Sequence, residues 1–177
     1  MSKVSRLHKS KSPTSAGVFV LTCSTSKYKQ LERKERPDDE SGDIIEQLST
    51  KAGNKIAGRR LIADSRAMIR DAIRTALANR SVDVVVITGG TGLSRTDVTF
   101  ETVSAMLDRV IPGFGEIFRR ISYDEIGSAA MMSRAFAGTI RGKAIFCLPG
   151  SPNGVKTAME KLILPELGHI IGLARGT

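Results

Sequence analysis

Residues 84–102 constrain the fold of this chain more than any other segment. The segment opens with four β-branched apolar residues, 84–87, a composition typical of a strand buried on both faces of a sheet. Thr88-Gly89-Gly90-Thr91-Gly92 follows directly, and its glycines permit a tight turn whose backbone amides can approach an anion. Asp97 and then Thr99 come next, and Thr99 is a suitable N-cap for a helix. Strand, glycine loop, acid and helix start together predict a phosphate-binding site beside a carboxylate.

The glycine loop matches neither of two well-known nucleotide-binding motifs. A Walker A loop has a lysine before its Ser or Thr, and no lysine stands between Gly90 and Ser94. A dinucleotide-binding fingerprint has a third glycine at the position that Arg95 occupies. A tight strand-to-helix turn that binds nothing is the alternative interpretation. The acid and the hydroxyls beside the loop favour a binding site instead.

Apolar strand-like runs alternate with amphipathic helical patterns along the chain, which predicts right-handed βαβ units. The predicted fold class is therefore α/β, with helices on both faces of a mostly parallel central sheet in a three-layer α/β/α arrangement. In such sheets, ligands bind beyond the carboxyl ends of the strands, near a switch in strand order. Four predicted strands deliver polar or glycine-rich loops to that edge, and these loops contain Ser24, Asp64, residues 89–97, and Gly150 with Ser151.

The strand and helix boundaries follow from hydrophobic periodicity and from turn residues. The predicted strands are Gly17–Cys23, Lys55–Ile62, 83–87, 138–141 and Lys143–Leu148. The predicted helices are 41–52, 65–80, 99–109, 114–122 and a final one, containing Val155 to Ile163, that Pro165 breaks or restarts. Residues 27–40, which hold five basic and five acidic side chains, are predicted to form a polar loop.

Length and charge limit the class of protein. The 177 residues suit one α/β domain over residues 15–177, and residues 1–14 are predicted to form a disordered basic tail. The net charge is +9, and Lys3, Arg6, Lys9 and Lys11 contribute four of these charges. Aromatic residues make up only 5% of the chain and no RNA-binding signature is present, so nucleic-acid binding is disfavoured. A basic site for polyphosphate substrates explains the remaining charge equally well.

The sequence also predicts location and redox chemistry. No stretch approaches the roughly 20 apolar residues of a membrane span, and no secretory signal follows the basic N-terminus. We therefore expect a cytoplasmic protein with no membrane partner. Cys23 and Cys147 end apolar runs and belong to no ligand pattern, so they are predicted to be buried thiols. His8 and His169 have no metal-ligand neighbour at useful spacing, so no transition-metal site is indicated.

Two acids are candidates for chemistry, and each also has a purely structural interpretation. Asp97 could hold a divalent cation or orient a nucleophile, or it could serve as a turn acid or cap near Thr99. Asp64 sits where an N-cap belongs on the helix over residues 65–80, and the residues alone leave capping and chemistry equally open. Ser151 could bind an anion, cap the last helix, or do both. Arg95 and Arg134 could balance phosphate charge, although surface arginines are common.

A series of motifs, in order along residues 17–174, resembles the MogA/MoaB family of molybdenum-cofactor biosynthesis proteins, and the MoaB type most of all. The motifs are listed in chain order: Thr22-Cys23-Ser24-Thr25-Ser26, Asp39-Glu40-Ser41-Gly42, TGGTG with Arg95, Asp97, Val98 and Thr99, Ile111-Pro112-Gly113-Phe114-Gly115-Glu116, Gly127-Ser128-Ala129-Ala130-Met131-Met132-Ser133-Arg134, and Leu148-Pro149-Gly150-Ser151-Pro152. Asp64 matches the family's second functional acid, but Ala63 replaces the proline that usually precedes it.

This resemblance implies a molybdopterin-binding domain with molybdopterin adenylyltransferase activity. In that reaction the terminal phosphate of molybdopterin attacks the α-phosphate of ATP with the help of Mg²⁺, and pyrophosphate is released. The resemblance makes Asp64 and Asp97 the catalytic residues and tentative Mg²⁺ ligands. The expected nucleotide-binding residues are Gly89, Gly90, Thr91, Gly92, Gly150 and Ser151, and the expected substrate-binding residues are Ser24, Ser26, Ser128, Ser133 and Arg134.

Two further expectations concern partners and rival functions. The resemblance implies a homo-oligomer, either a trimer or a hexamer. It also adds other enzymes of the cofactor pathway to the candidate partners. The apolar stripe formed by Phe114, Ile117, Phe118 and Ile121, together with Met131-Met132, offers weak support for self-association. The alternative function is a catalytically silent molybdopterin-binding or scaffold homologue, against which the presence of both acids argues.

Overall fold

The computed structural model describes residues 13–176, and the first twelve residues of the predicted tail lie outside this range. Six strands form the central sheet. They are β1 (Gly17–Cys23), β2 (Lys55–Ile62), β3 (Val84–Thr88), β4 (Arg109–Val110), β5 (Phe136–Ile140) and β6 (Lys143–Leu148). The helices are α1 (Thr25–Glu32), α2 (Glu40–Lys51), α3 (Arg66–Ala78), α4 (Thr99–Ser104), α5 (Pro112–Ile126), α6 (Pro152–Ala158) and α7 (Leu164–Arg175). A 3-10 turn (Gly127–Met132) follows α5, and a π-helical turn (Met159–Ile163) joins α6 to α7.

The strand order is β2-β1-β3-β6-β5-β4. The first four strands in this order are parallel, and β5 runs antiparallel to both of its neighbours. Every residue of β1 and β3 is buried, because these central strands are covered by helices on both faces. The mostly parallel sheet of the predicted α/β fold is confirmed.

Two hydrophobic cores, one on each face of the sheet, give the fold its three layers. The first core joins α2, α5, α6 and α7 to the sheet through Ile45, Phe118 and Ile163, among others. The second joins α3 and α4 to the opposite face. On α3 the buried residues Ile69, Ala72, Ile73 and Ala76 recur at the three- and four-residue spacing of one helical face. None of the helices within residues 13–176 is both long and apolar enough to span a bilayer.

The prediction of a polar loop over residues 27–40 is wrong at its start. Residues Thr25–Glu32 form α1, a helix with no buried residue. Its first turn is capped by Ser24, whose hydroxyl accepts a hydrogen bond from the Lys27 amide at 3.4 Å. Because this helix lies on the surface, it leaves no apolar periodicity in the sequence, and a charge-rich segment without periodicity resembles a loop.

The region after the glycine loop differs from its prediction at two points. Val98, and not Thr99, is the N-cap of α4, and the Thr99 hydroxyl is buried without a hydrogen-bond partner among the described residues. The helix also ends at Ser104 rather than at Arg109. The chain turns there because Arg109–Val110 pairs with β5, and this edge pairing outweighs the helical pattern of the sequence.

The last helical region changes its hydrogen-bonding pattern before Pro165. In the π-helical turn Met159–Ile163, the Leu164 amide donates to the Met159 carbonyl, five residues earlier. Pro165 lies in the first turn of α7, where a missing N–H is tolerated. The sequence predicts that Pro165 breaks or restarts the helix; the helical backbone instead continues through the π-helical turn into α7, and only its hydrogen-bonding pattern changes.

Candidate active site

A cleft of about 920 Å³ opens at the carboxyl ends of the parallel strands. Strands β1, β3 and β6 end side by side there, with Thr22 paired to Thr88 and Thr88 paired to Leu148. The chain leaves β1 toward β2 on one side, while β3 lies on the other, so the strand order switches beside the cleft. Nearly all of the predicted site residues line the cleft: Ser24, Ser26, Asp64, Gly89, Gly90, Thr91, Gly92, Asp97, Ser133, Arg134, Gly150 and Ser151.

Ser128 is the one predicted site residue that does not line this cleft. It is exposed in the 3-10 turn, whereas its neighbours Ala129, Met132 and Ser133 contribute to the wall. A one-residue offset in a 3-10 turn rotates a side chain by about a third of a turn, which separates Ser128 from Ala129. Arg95 is likewise exposed and outside the cleft wall.

The glycine loop adopts a backbone conformation that requires its glycines. Gly89 and Gly90 have φ angles of +90° and +64°, which side-chain-bearing residues rarely adopt. A Cβ atom on Gly89 would lie 2.2 Å from the carbonyl oxygen of Cys23. The loop can therefore pack directly against the end of β1 only because no side chain intervenes.

Two carboxylates flank this loop. A Cβ on Gly90 would lie 2.7 Å from Oδ1 of Asp64, and a Cβ on Gly92 would lie 2.7 Å from Oδ2 of Asp97. Each carboxylate thus packs against a glycine, at a place where the Cβ atom of any other residue would be too close. The glycine loop and the two acids form one surface of the cleft.

The carboxylates of both acids accept hydrogen bonds from other residues of the chain. Oδ2 of Asp64 accepts from the amide and from the hydroxyl of Thr25, each at 2.8 Å. Oδ2 of Asp97 accepts from the Ser94 amide at 3.0 Å and closes the turn before α4. Asp97 is therefore a turn acid, as its structural interpretation expected, and it also faces the cleft.

A second loop, after β6, is fixed through three consecutive backbone carbonyls. Each carbonyl accepts a hydrogen bond from a side-chain hydroxyl. The Leu148 and Pro149 carbonyls accept from Thr91 at 3.4 Å and Thr88 at 2.7 Å, both in the glycine loop, and the Gly150 carbonyl accepts from Ser41 of α2 at 2.8 Å. Because the N–H of a trans peptide points opposite to its C=O, the amides of Gly150 and Ser151 point away from these anchors. Ser151 is the N-cap of α6, but its side chain makes no capping hydrogen bond.

Arg134 lines the cleft and contacts the carboxyl end of the glycine loop. Its guanidinium donates to the carbonyl oxygens of Thr91, at 3.0 Å, and of Gly92, and it pairs with the carboxylate of Glu101. The guanidinium carbon lies 5.0 Å from the centre of the Phe100 ring. The hydrogen bond from Arg134 holds the pKa of Glu101 below its usual value.

The cleft contains several polar residues that sequence reasoning missed, namely Thr25, Lys27, Ser41, Ser122, Glu125 and Asn153. Lys27 lies in the segment predicted as a loop, and its ammonium is 4.0 Å from the buried carboxylate of Asp39. Glu125 accepts hydrogen bonds from Lys161 and Thr157, which lower the pKa of its carboxyl. On α5, Ser122 and Glu125 follow Phe118 by four and seven residues, so they lie on the same helical face as this core residue. Polar residues at these positions of the sequence could have identified both as candidates for the site.

Thiol chemistry is not a feature of this site. Cys23 lines the cleft, but burial raises the pKa of its thiol to about 12, and burial also raises the pKa of Cys147 well above 9.0. The predicted buried thiols are confirmed. Across residues 13–176, no three His, Cys, Asp or Glu side chains converge as a ready-made metal cluster.

Comparisons with known proteins agree with this geometry. Residues 19–169 match the family model described as "Probable molybdopterin binding domain". The chain is 43% identical over 164 residues to "Molybdenum cofactor biosynthesis protein B" of Bacillus cereus, which covers 92% of this chain and 93% of that protein. It is 39% identical over 157 residues to the "Probable molybdopterin adenylyltransferase" of Methanocaldococcus jannaschii, covering 88% and 92% of the two chains.

A solved structure extends the similarity to three dimensions. The crystal structure of the tungsten cofactor synthesizing protein MoaB from Pyrococcus furiosus superimposes with a TM-score of 0.81 at 36% identity, covering 92% of this chain and 99% of that one. Sequence and fold thus agree, and the chain belongs to the family of molybdopterin-binding domains to which MoaB proteins belong.

Proposed function

We propose that this protein is a molybdopterin adenylyltransferase of molybdenum-cofactor biosynthesis. An oxygen of the terminal phosphate of molybdopterin attacks the α-phosphorus of ATP, the bond from that phosphorus to the bridging oxygen breaks, and pyrophosphate leaves. The product is adenylylated molybdopterin. The name of the similar protein from Methanocaldococcus jannaschii supports this choice of reaction.

The observation that carries the proposal is the placement of two carboxylates against one glycine loop, that of Asp64 beside Gly90 and that of Asp97 beside Gly92. Transfer of a nucleotidyl group requires positioning and charge neutralisation more than covalent help from the protein. The Gly89 amide donates to the Leu148 carbonyl at 3.2 Å, so in this loop the amides of Gly90 and Gly92 are the ones suited to hold the phosphates of ATP. The amides of Gly150 and Ser151, which point away from their anchors, are suited to the same task.

Mg²⁺ is the cation that this donor set fits. Mg²⁺ prefers oxygen ligands and retains water and substrate phosphates among them, so two carboxylates without a third acid are sufficient. Asp64 and Asp97 would hold the ion, with Oδ1 of Asp64 beside Gly90 and the Asp97 carboxylate beside Gly92. Bound there, the cation would neutralise negative charge on the phosphates of ATP.

We assign molybdopterin to the part of the cleft lined by hydroxyl groups. Ser24 and Ser26 lie at the start of α1 with their hydroxyl oxygens 3.2 Å apart, and Ser133 also lines the cleft. Hydroxyl groups can donate to a phosphate or accept from a heterocycle. Lys27, on the same wall as Ser24, supplies a positive charge for the terminal phosphate.

The test uses the full-length protein, molybdopterin and Mg²⁺-ATP labelled at the α-phosphate. We expect transfer of label to molybdopterin together with equimolar pyrophosphate, and loss of transfer when EDTA removes the metal. Binding of molybdopterin without transfer of label would favour the rival function, a catalytically silent molybdopterin-binding homologue. Absence of both binding and transfer would exclude both functions.

The Asp97→Asn variant tests whether this activity depends on the proposed site. Asparagine retains an oxygen to accept from the Ser94 amide, so folding and nucleotide binding should persist. Turnover should fall at least about a hundredfold, or about 2.7 kcal/mol of transition-state stabilisation. Asp108→Asn is the matched control, because Asp108 also accepts from a backbone amide, that of Arg141, at 2.6 Å, but lies outside the cleft wall.

A further inference from the structure

Arg134 is a cation on the wall of a proposed phosphate site, yet its donors are engaged by the protein itself. Nε donates to the Thr91 carbonyl at 3.0 Å, and one terminal nitrogen donates to the Gly92 carbonyl. The same nitrogen lies 3.5 Å from the carbonyl oxygen of Asp97. One side chain therefore contacts the carboxyl end of the glycine loop, at Thr91 and Gly92, and the backbone of Asp97 that follows it.

The charge of Arg134 is also matched within the protein. Its other terminal nitrogen pairs with Glu101 on α4, and Phe100 of the same helix lies against the guanidinium plane. Neither Glu101 nor Phe100 lines the cleft. Arg134 is therefore paired with a carboxylate outside the cleft wall, so its positive charge is already balanced before any phosphate arrives.

Capture of the two carbonyls fixes the direction of the neighbouring amides. In a trans peptide the N–H of one residue points opposite to the C=O of the residue before it. With the carbonyls of Thr91 and Gly92 held on Arg134, the amides of Gly92 and Leu93 point away from the guanidinium. A loop with these amides presented in advance binds an anion without first reorganising.

We propose that Arg134 is a positioning residue, and not a phosphate ligand, which orients the glycine loop and Asp97 through their backbone carbonyls and is itself held by Glu101. This inference rests on the proposed function for the identity of the anion, the phosphates of ATP. The orientation of the loop, however, is a property of the free protein. The two ideas can therefore fail separately.

The first experiment is hydrogen–deuterium exchange of the free protein, which needs neither substrate nor activity. We expect amides of residues 90–98 to exchange at least about tenfold faster in Arg134→Gln and in Glu101→Gln than in the wild type. Arg120→Gln is the control, since Arg120 also pairs with an acid, Asp124, but on the exposed face of α5. Unchanged exchange in both loop variants would overturn the proposal. Melting temperatures identify a variant that fails to fold, and the second variant then decides.

The second experiment separates positioning from direct binding by measuring the affinity for Mg²⁺-ATP. If Arg134 were a phosphate ligand, Glu101→Gln would release it toward the phosphates, and the affinity would stay the same or increase. The proposal predicts the opposite, a loss of about tenfold or more with a parallel fall in kcat. Arg134→Lys keeps the charge but cannot contact both carbonyls and Glu101 at once, so it should not restore affinity. Unchanged or tighter binding by Glu101→Gln, or full rescue by Arg134→Lys, would overturn the proposal.

If the wild type binds Mg²⁺-ATP but does not adenylylate molybdopterin, the proposed function fails while the exchange and affinity measurements still test Arg134. If adenylylation is found and both Arg134 and Glu101 variants behave as wild type, the positioning role alone is wrong.

Discussion

Thr25 and Asp64 form a closed ring of hydrogen bonds across 39 positions of sequence. The Thr25 amide and hydroxyl donate to one carboxylate oxygen, each at 2.8 Å, and the Asp64 amide donates back to the Thr25 hydroxyl at 3.0 Å. Ser65, and not Asp64, is the N-cap of α3. The sequence left capping of this helix and chemistry equally open for Asp64. The geometry removes capping of α3, and the carboxylate instead accepts from the first amide of α1.

Asp64→Asn should therefore preserve the fold and abolish most of the activity. Asparagine keeps an oxygen that accepts from Thr25, so the free energy of unfolding should change by less than about 1 kcal/mol. The loss of the negative charge should lower the rate of adenylylation at least about a hundredfold, or about 2.7 kcal/mol. Steady-state kinetics with labelled ATP and urea unfolding measure the two quantities.

A surface acid provides the control for this variant. Asp71 lies on α3, pairs with Arg60 at 3.2 Å and is outside the cleft wall, so Asp71→Asn should retain the full rate. A rate near that of the wild type in Asp64→Asn would remove Asp64 from the catalytic residues.

The buried thiols predict how stability responds to alkaline pH. Burial raises the pKa of Cys23 from 9.0 to about 12, so the folded state keeps a proton that the unfolded chain releases above pH 9.0. The stabilisation is fully present below that pH and is lost as pH rises toward 12. Unfolding free energy should decline by up to about 1.4 kcal/mol per pH unit for each thiol.

Urea unfolding at pH about 8.5 and about 10.5 measures this decline. A Cys23→Ala variant should show a shallower slope over the same interval, because Cys147 alone would then contribute among the thiols. Identical slopes in the variant and in the wild type would show that Cys23 does not titrate on unfolding.

We also predict that the chain forms a homo-oligomer, with the trimer or hexamer that the family resemblance implies. Part of the predicted apolar stripe does not support this, because Phe114 and Phe118 are buried in the core of the same chain. The exposed apolar side chains that remain on α5 and the following 3-10 turn are Ile117, Tyr123, Ile126, Met131 and Met132. A cluster of this kind is typical of an interface between protein chains.

Met131 is the best position for testing the oligomer, because it is 80% exposed and does not line the cleft. Met131→Lys should shift the mass measured by light scattering toward the monomer at micromolar concentration. Leu173→Lys is the control, since Leu173 is 56% exposed on α7 and away from α5. A wild-type protein that is monomeric at this concentration would contradict the prediction.

The boundaries of three strands, Gly17–Cys23, Lys55–Ile62 and Lys143–Leu148, could be predicted from the sequence. For Gly17–Cys23 and Lys143–Leu148, burial between two layers of helices imposes an apolar pattern that marks where the strands begin and end. Lys55–Ile62 is an edge strand in which only Ile62 is buried, so burial does not explain its bounds. Helix α1 and strand β4 could not be predicted in this way. The first buries no side chain, and both residues of the second are exposed, so neither carries a hydrophobic signal.

The same distinction applies to the site. The convergence of Ser24, Asp64, the glycine loop and Ser151 follows from the rule that parallel strands end at one edge. The partners of individual side chains do not follow from it. Arg134 and the Thr91 carbonyl are 43 positions apart. Nothing in either local sequence indicates that the guanidinium contacts the backbone carbonyls of the glycine loop.

The basic N-terminal residues should be dispensable for catalysis. A chain that starts near Pro13 should keep its melting temperature and its turnover, because the ordered core begins at Ala16 and residues 1–12 hold almost no apolar side chains to offset their ordering entropy. Differential scanning fluorimetry and the labelled-ATP assay measure these properties. A fall in turnover of more than about tenfold, or about 1.4 kcal/mol, would place the tail in the site.

The direction of β1 has a practical consequence for handling this protein. Gly17 begins the strand at one edge of the sheet and Cys23 ends it at the other, a separation of about 20 Å at about 3.3 Å per residue. A dye, an affinity handle or a surface linker attached ahead of Gly17 would leave the mouth of the cleft open. Immobilised protein should then permit substrate exchange and real-time observation of successive turnovers on single molecules.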